Sequence, residues 1–200
     1  MGTPTRFPGG IGTAYPTANL ANFGEPDPTK WIVFFEDLLM PNAALGTFTA
    51  VSGLGGLATI LTTNVIDTPQ TSFVPVAGKS LIFKAKCSTP TLATVGAIGG
   101  IADVISAAAA KGITVRVYNN VLTLTNEYAS TTDTAAVTYA IDQQFTFGFE
   151  ANADGITAYF NDVAVASLPA PTYDATALLA GLYADGGTIT ADYFFASLER

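Results

Sequence analysis

The sequence predicts an all-β protein, an antiparallel β-sandwich, and three observations support this class. Between Phe145 and Leu168, apolar and polar residues alternate with period two, so that Phe145, Phe147 and Phe149 share one face. Turn residues such as Asn and Gly recur about every ten positions. Helix-forming composition is confined to residues 102–111. Because isolated hairpins are marginal in water, a second sheet is expected to cover the aromatic face.

The strands of this sandwich are predicted from alternation and from the turn residues between them. Besides the three-stranded meander of residues 145–168, the predicted strands are Trp31 to Leu39, Thr47 to Val51, Leu57 to Thr63, Gln70 to Pro75, Lys79 to Cys87, Thr91 to Ile101, Ile113 to Tyr118, Val121 to Asn126, Ala135 to Ala140, Leu178 to Tyr183 and Thr188 to Leu198. Lys84 and Lys86 are expected to point outward and to oppose unwanted strand pairing. Ala102 to Lys111 is expected to form one short helix at most, ending at Gly112.

The first 30 residues differ in composition from the rest of the chain. They are rich in proline and glycine and carry aperiodic apolar residues, a pattern that excludes a regular element. Disordered segments are usually depleted in such apolar residues, so an extended arm that lies on another surface is favoured. We therefore predict an arm over residues 1–30 and a sandwich domain over residues 31–200.

Charge and composition exclude several classes of partner. Only 12% of the residues are charged, about half the usual share, and the net charge is −8. Without clustered Lys and Arg, a nucleic-acid-binding face is not expected. The most apolar window, residues 93–110, contains three glycines and Asp103, which argues against a membrane span. No signal peptide is expected. So few charges suggest a surface covered by copies of the chain or by a partner.

The residues that usually carry chemistry are scarce. The chain has no histidine, which removes the commonest general base and zinc ligand. The single cysteine, Cys87, alternates with apolar residues and is predicted to be a buried hydrophobe. The glutamates placed on strands, Glu127 and Glu150, have no acidic neighbour on the same face, and the adjacent Glu36 and Asp37 point to opposite faces. We predict no enzyme, no catalytic residue and no cofactor.

Calcium and glycans are the two remaining ligand classes. Asp154, Asp162 and Asp185 are isolated in turns, where aspartate is expected for backbone reasons, so no metal site is predicted. Carbohydrate binding would use exposed aromatic rings, and five tyrosines are candidates: Tyr118, Tyr128, Tyr139, Tyr159 and Tyr173. Strand tyrosines more often pack in the sandwich with a solvated hydroxyl. A lectin-like, glycan-binding module is therefore the alternative hypothesis.

The order of segments resembles a family of virion proteins of T7-like and marine or cyanobacterial phages. The resemblance is carried by PTRFPGGIGTA at Pro4 to Ala14, by DPTKWIVFFEDLL at Asp27 to Leu39, by KSLIFKAKC, and by FGFEANADGITAYFNDVAVAS. It implies a jelly-roll sandwich of the concanavalin A-like type. The pattern FxFGFExxxDGIxxYxND is also shared by many laminin-G-like and lectin-like domains. Residues 102–111 depart from the family pattern.

The resemblance implies a capsid decoration, or cement, protein on the outer surface of the phage head. Such a protein would be a homotrimer that binds major capsid protein subunits through its amino-terminal arm, where many weak contacts sum to a high avidity. The arm residues implied by the resemblance are Arg6, Phe7, Pro8, Ile11 and Tyr15, and Trp31 would anchor the arm to the sandwich. The alternatives are a glycan-binding virion module and a tail or fibre component.

Overall fold

A computed structural model of the chain describes residues 31–36, 49–50, 57–68, 73–89, 95–106, 108–140 and 142–200. Fourteen β-strands lie in these residues. They are β1 (Trp31–Glu36), β2 (Thr49–Ala50), β3 (Ala58–Ile60), β4 (Val65–Asp67), β5 (Leu81–Ser88), β6 (Gly96–Ala102), β7 (Gly112–Tyr118), β8 (Val121–Asn126), β9 (Thr131–Ala136), β10 (Phe145–Ala151), β11 (Ile156–Phe160), β12 (Val163–Leu168), β13 (Leu179–Asp185) and β14 (Ile189–Glu199).

The strands form two antiparallel sheets, which confirms the predicted all-β sandwich. Sheet A has eight strands in the order β12-β11-β10-β5-β14-β3-β2, and β1 pairs with β14. Sheet B has six strands in the order β4-β13-β6-β7-β8-β9. Alternate residues of both sheets meet in one hydrophobic core. The meander of β10, β11 and β12 lies in sheet A, as the alternation of residues 145–168 predicts.

Phe83 lies at the centre of this core. Its ring centroid is 6.2 Å from that of Phe149, 6.5 Å from that of Phe147 and 6.4 Å from that of Phe194, all within sheet A. From sheet B, Gly99 leaves the space that the ring fills, since a Cβ added at Gly99 would lie 2.5 Å from Phe83 Cε1. At this point the Phe83 ring of sheet A therefore packs directly against the backbone of sheet B at Gly99.

The part of residues 102–111 that the structure describes contains no helix, which is within the prediction of one short helix at most. Strand β6 continues to Ala102, and a loop follows. The Asp103 carboxylate closes this loop, because its Oδ1 accepts hydrogen bonds from the backbone N–H groups of Val104, Ala110 and Lys111 at 3.0–3.1 Å. These bonds satisfy backbone donors that a helix would otherwise have to pair, so alanine-rich composition alone does not produce a helix here.

Several strands also differ from the prediction in their bounds or existence. The strand predicted at Ala135 to Ala140 is β9, at Thr131–Ala136, because Ser130 turns at a φ of 50° and brings Thr131 opposite Asn126. The short strand β4 was not predicted. Of the strand predicted at Gln70 to Pro75, the structure describes residues 73–75, with a single bridge from Phe73 to Leu178.

Lys84 and Lys86 do point outward from sheet A, but each of them forms an ion pair with an aspartate. Lys84 is 4% exposed, and its Nζ lies 2.5 Å from Asp162 Oδ1 in the turn between β11 and β12. The opposite residue on β10 is Gly148, which has no side chain to block this path. Lys86 pairs with Asp192 at 2.8 Å. Neither ammonium group is therefore free to repel a foreign strand.

Two further predictions concern burial and membranes. Cys87 is fully buried, as predicted, and burial raises the pKa of its thiol far above the ordinary value. No helix suited to crossing a membrane occurs in the described part of the chain.

Candidate functional site

The residues implied for capsid binding are not tested by the structure. Arg6, Phe7, Pro8, Ile11 and Tyr15 lie outside the described residues, and so does the whole predicted arm, residues 1–30. Trp31, the implied anchor, begins β1 and lies opposite Glu199 of β14. Its backbone position in sheet A is therefore established, and its role toward the arm stays a prediction.

The five tyrosines considered for glycan binding do not form one surface in the fold. Tyr139 is a core residue, 7% exposed, with its ring centroid 4.8 Å from that of Phe145. Tyr128 and Tyr173 pack edge to face at 5.6 Å. Tyr159 lies on the outer face of sheet A and hydrogen bonds to Glu150.

Tyr118 lies on the outer face of sheet B, the face turned away from the core. We name one accessible region of that outer surface the Arg116 face. It consists of two adjacent cross-strand rows: Tyr183, Arg116, Thr123 and Thr134 in one row, and Asp185, Tyr118, Val121 and Ala136 in the next. In the first row, Ile98 lies between Tyr183 and Arg116 in register and is 2% exposed.

At the centre of this face, three side chains form one assembly. The Arg116 Cζ is 4.5 Å from the centroid of the Tyr118 ring, which is a cation–π contact. The Arg116 Nε donates a hydrogen bond to Asp185 Oδ2 at 2.6 Å. The Arg116 side chain is still 42% exposed. A planar group with further N–H donors is thus fixed in orientation and accessible to a ligand.

Two other carboxylates on the outer surface of sheet B, those of Asp67 and Glu127, are partly buried. Burial raises the pKa of Asp67 on β4. Burial also raises the pKa of Glu127, just after β8; the charge of nearby Asp103 adds to this effect, and the hydrogen bond from Thr114 Oγ1 to Glu127 Oε1, at 3.1 Å, opposes it. Their ionised forms are therefore disfavoured relative to free carboxylates.

Replacing Glu127 by glutamine is expected to stabilise the protein more at about pH 7 than at about pH 4. Because the folded-state pKa of Glu127 is raised, its favourable contribution is complete below the unfolded pKa and is lost as the pH rises through the folded pKa. Glutamine does not titrate and can still accept the hydrogen bond from Thr114. Urea unfolding of both proteins at the two pH values measures the difference.

Glu199→Gln is the control, because the pH dependence of its effect on stability should have the opposite sign. The backbone N–H of Ser80, followed by Lys79, lowers the pKa of Glu199. Its contribution is present above the unfolded pKa and is lost as the pH falls, so this variant should lose more stability at about pH 7 than at about pH 4. The same sign of pH dependence in both variants would contradict the assigned causes.

No cluster of three or more metal-ligating side chains of the His, Cys, Asp and Glu types occurs in the described residues. Of the three turn aspartates considered as calcium ligands, Asp162 and Asp185 form ion pairs with Lys84 and Arg116.

Sequence reasoning missed Arg116 and Tyr183. A signal for Arg116 was present, since in ITVRVY it alternates with Val115 and Val117 and so shares a face with Tyr118. No sequence signal places Tyr183 and Asp185 on the same face as Arg116 and Tyr118, because β13 and β7 are not adjacent strands but are separated by β6.

Comparisons with known proteins bear on the fold. No protein-family model and no curated protein matches the chain in sequence. In structure, the chain is similar to the carbohydrate recognition domain of Emp47p, with a TM-score of 0.63 and 10% identity over 86% of this chain and 98% of that one. It is also similar to an endo-1,3-beta-glucanase from Streptomyces sioyaensis, with a TM-score of 0.57 and 14% identity over 86% and 98%.

A third similar structure is a prokaryotic beta-1,3-1,4-glucanase derived from a mouse hindgut metagenome, with a TM-score of 0.54 and 10% identity over 82% of this chain and 98% of that one. At such low identities the likeness shows the fold alone. The predicted jelly-roll sandwich of the concanavalin A-like type is thereby confirmed.

Proposed function

We propose that this protein is a glycan-binding module whose ligand lies on the Arg116 face. The observation that carries the proposal is the Arg116 guanidinium, stacked on Tyr118 and hydrogen bonded to Asp185 while remaining solvent-accessible. The likeness to a carbohydrate recognition domain supports glycan binding as the class of function. It favours the glycan-binding alternative over capsid cementing.

The chemistry of the face suits sugars because sugars offer hydroxyl groups on one side of a ring and C–H groups on the other. Tyr183 and Val121 supply apolar surface, and Val121 is 39% exposed. Arg116 supplies donors, while Thr123 and Thr134 supply hydroxyls that can donate or accept. Binding sites of this kind combine apolar surface with a few oriented polar groups.

We also propose that binding occurs without hydrolysis. Glycoside hydrolysis generally needs two carboxyl groups about 5–10 Å apart, one of them protonated. The two rows of the Arg116 face contain one carboxylate, Asp185, and it is engaged by Arg116. Glucanases share the fold, so release of reducing ends from a panel of glucans is a necessary companion measurement, and no release is expected.

Replacing Tyr183 by alanine is expected to weaken glycan binding by at least about tenfold, because aromatic side chains often dominate binding at such surfaces. The wild-type protein is first screened on a glycan array, and the strongest ligand is then titrated by calorimetry against each variant. Circular dichroism shows whether the variant is folded. Tyr183→Phe, which keeps the ring, should bind within about threefold of wild type.

The matched control is Tyr159→Ala, which removes the same side chain from the outer face of sheet A. It should leave glycan binding unchanged, because Tyr159 lies on the opposite side of the sandwich from Tyr183. If Tyr159→Ala weakens binding as much as Tyr183→Ala does, the ligand does not lie on the Arg116 face.

Capsid cementing stays a prediction from the resemblance, together with the homotrimer, the major capsid protein as partner and the outer capsid surface as location. None of the structures described above supports it, and the arm lies outside the described residues. A virion location remains compatible with glycan binding, because a sandwich on a particle surface can present the Arg116 face to a host glycan.

A further inference from the structure

The Arg116 guanidinium is held by a layered arrangement that starts from the sheet backbone. The Tyr118 ring lies close to Gly96 of the neighbouring strand, since a Cβ added at Gly96 would lie 3.0 Å from Tyr118 Cδ2 and 2.4 Å from the Val117 carbonyl oxygen. Glycine at position 96 thus lets the ring approach the sheet. The guanidinium stacks on the ring. Asp185, which is opposite Gly96 in register, then hydrogen bonds to Nε.

We propose that Asp185 is a positioning and specificity-determining residue: it holds Arg116 over Tyr118 and restricts the site to neutral glycans. This inference rests on the proposed function. Beyond that function, the inference specifies neutral glycans as the class of ligand and Asp185 as the residue that selects them.

An arginine without a partner would favour acidic glycans, because its planar donors match a carboxylate or sulfate in a two-bond geometry. Here one carboxylate already occupies the Nε side of Arg116, and the Asp185 side chain is only 17% exposed. A second anion would meet the Asp185 charge at short range. Neutral hydroxyl acceptors meet no such repulsion and find the remaining donors already oriented.

The surroundings provide no alternative cation for an acidic ligand. Every lysine in the described part of the chain forms an ion pair with a carboxylate, namely Lys79, Lys84, Lys86 and Lys111. Asp67 adds a carboxylate to the same outer surface of sheet B. The outer surface of sheet B therefore carries no excess positive charge among the described residues.

The test compares the wild-type full chain with Asp185→Asn on an array of neutral glycans and their sulfated and uronic-acid counterparts. Wild type is expected to bind neutral glycans and to reject the acidic ones. Asp185→Asn is expected to raise the ratio of acidic to neutral binding by at least about tenfold, which is the scale of one charge-assisted interaction.

Asp142→Asn is the matched control, because it removes the same charge from an exposed turn outside the Arg116 face. Asp142 has a φ of 58°, a conformation that asparagine tolerates. This variant should keep the wild-type ratio of acidic to neutral binding. An equal change in both variants would mean that net charge, and not the position of Asp185, sets the selectivity, and would overturn the inference.

A second readout does not depend on any ligand. In wild type, the ring current of Tyr118 should shift the NMR signals of the Arg116 δ-protons upfield, and Asp185→Ala, which removes the acceptor of the Arg116 Nε hydrogen bond, should move these signals toward their ordinary positions. An unchanged shift in Asp185→Ala would overturn the positioning role. If wild type binds acidic glycans as well as neutral ones, the selectivity is wrong while glycan binding stands. A blank array for all proteins overturns the proposed function and the selectivity with it.

Discussion

Replacing Phe83 by alanine is expected to lower the free energy of unfolding by about 3–5 kcal/mol, the cost of removing a buried aromatic ring from a packed core. Phe83 is fully buried, and three other phenylalanine rings of sheet A have their centroids within 6.5 Å of its own. Because both sheets enclose the site, the surrounding residues can close the cavity only in part. Urea unfolding followed by circular dichroism measures the loss.

Phe83→Leu is the control, since it retains most of the apolar volume and should cost less than half as much. A loss of about 1 kcal/mol or less for Phe83→Ala would mean that the sheets collapse around the cavity. The space that Gly99 leaves for the Phe83 ring would then not be held open by the rest of the core.

Replacing Asp162 by asparagine is expected to cost about 3 kcal/mol at neutral pH, the lower end of the range for breaking a buried ion pair. The Lys84 side chain is 5% exposed, so its ammonium would lose its nearest charge partner with little access to water. Asparagine keeps the positive φ of 66° at this turn, so backbone strain does not contribute to the loss. Chemical denaturation measures it.

Asp192→Asn is the matched control on the same face of the same sheet. Its partner, Lys86, is 31% exposed and can be solvated when the pair is broken, so the cost should stay within about 1 kcal/mol. In the double variant Lys84→Met and Asp162→Asn, most of the stability should return, because no unpaired charge remains buried. Equal losses for Asp162→Asn and Asp192→Asn would contradict the role assigned to burial.

The alternation of residues was a reliable guide where one face of a strand is buried. It predicted the meander of β10, β11 and β12 and the paired strands β7 and β8, because only one register places Phe147 and Val115 in the core. Composition was a poorer guide for residues 102–111, where helix-forming residues lie in a loop held by side-chain hydrogen bonds. The three bonds to Asp103 Oδ1 join residues up to eight positions apart, and composition does not reveal them.

The candidate site likewise has some features that the sequence predicts and others that only the fold reveals. The sequence by itself determined that this is an all-β chain with period-two faces, and that Arg116 and Tyr118 share one of them, because side chains alternate across a strand. Only the tertiary structure decided that Asp185 and Tyr183 lie on the same outer face of sheet B as these two residues and that Tyr139 is buried in the core. The physical reason is that pairing between β13, β6 and β7 is a long-range contact: it depends on how whole strands bury their apolar sides, and local sequence does not encode which strands become neighbours.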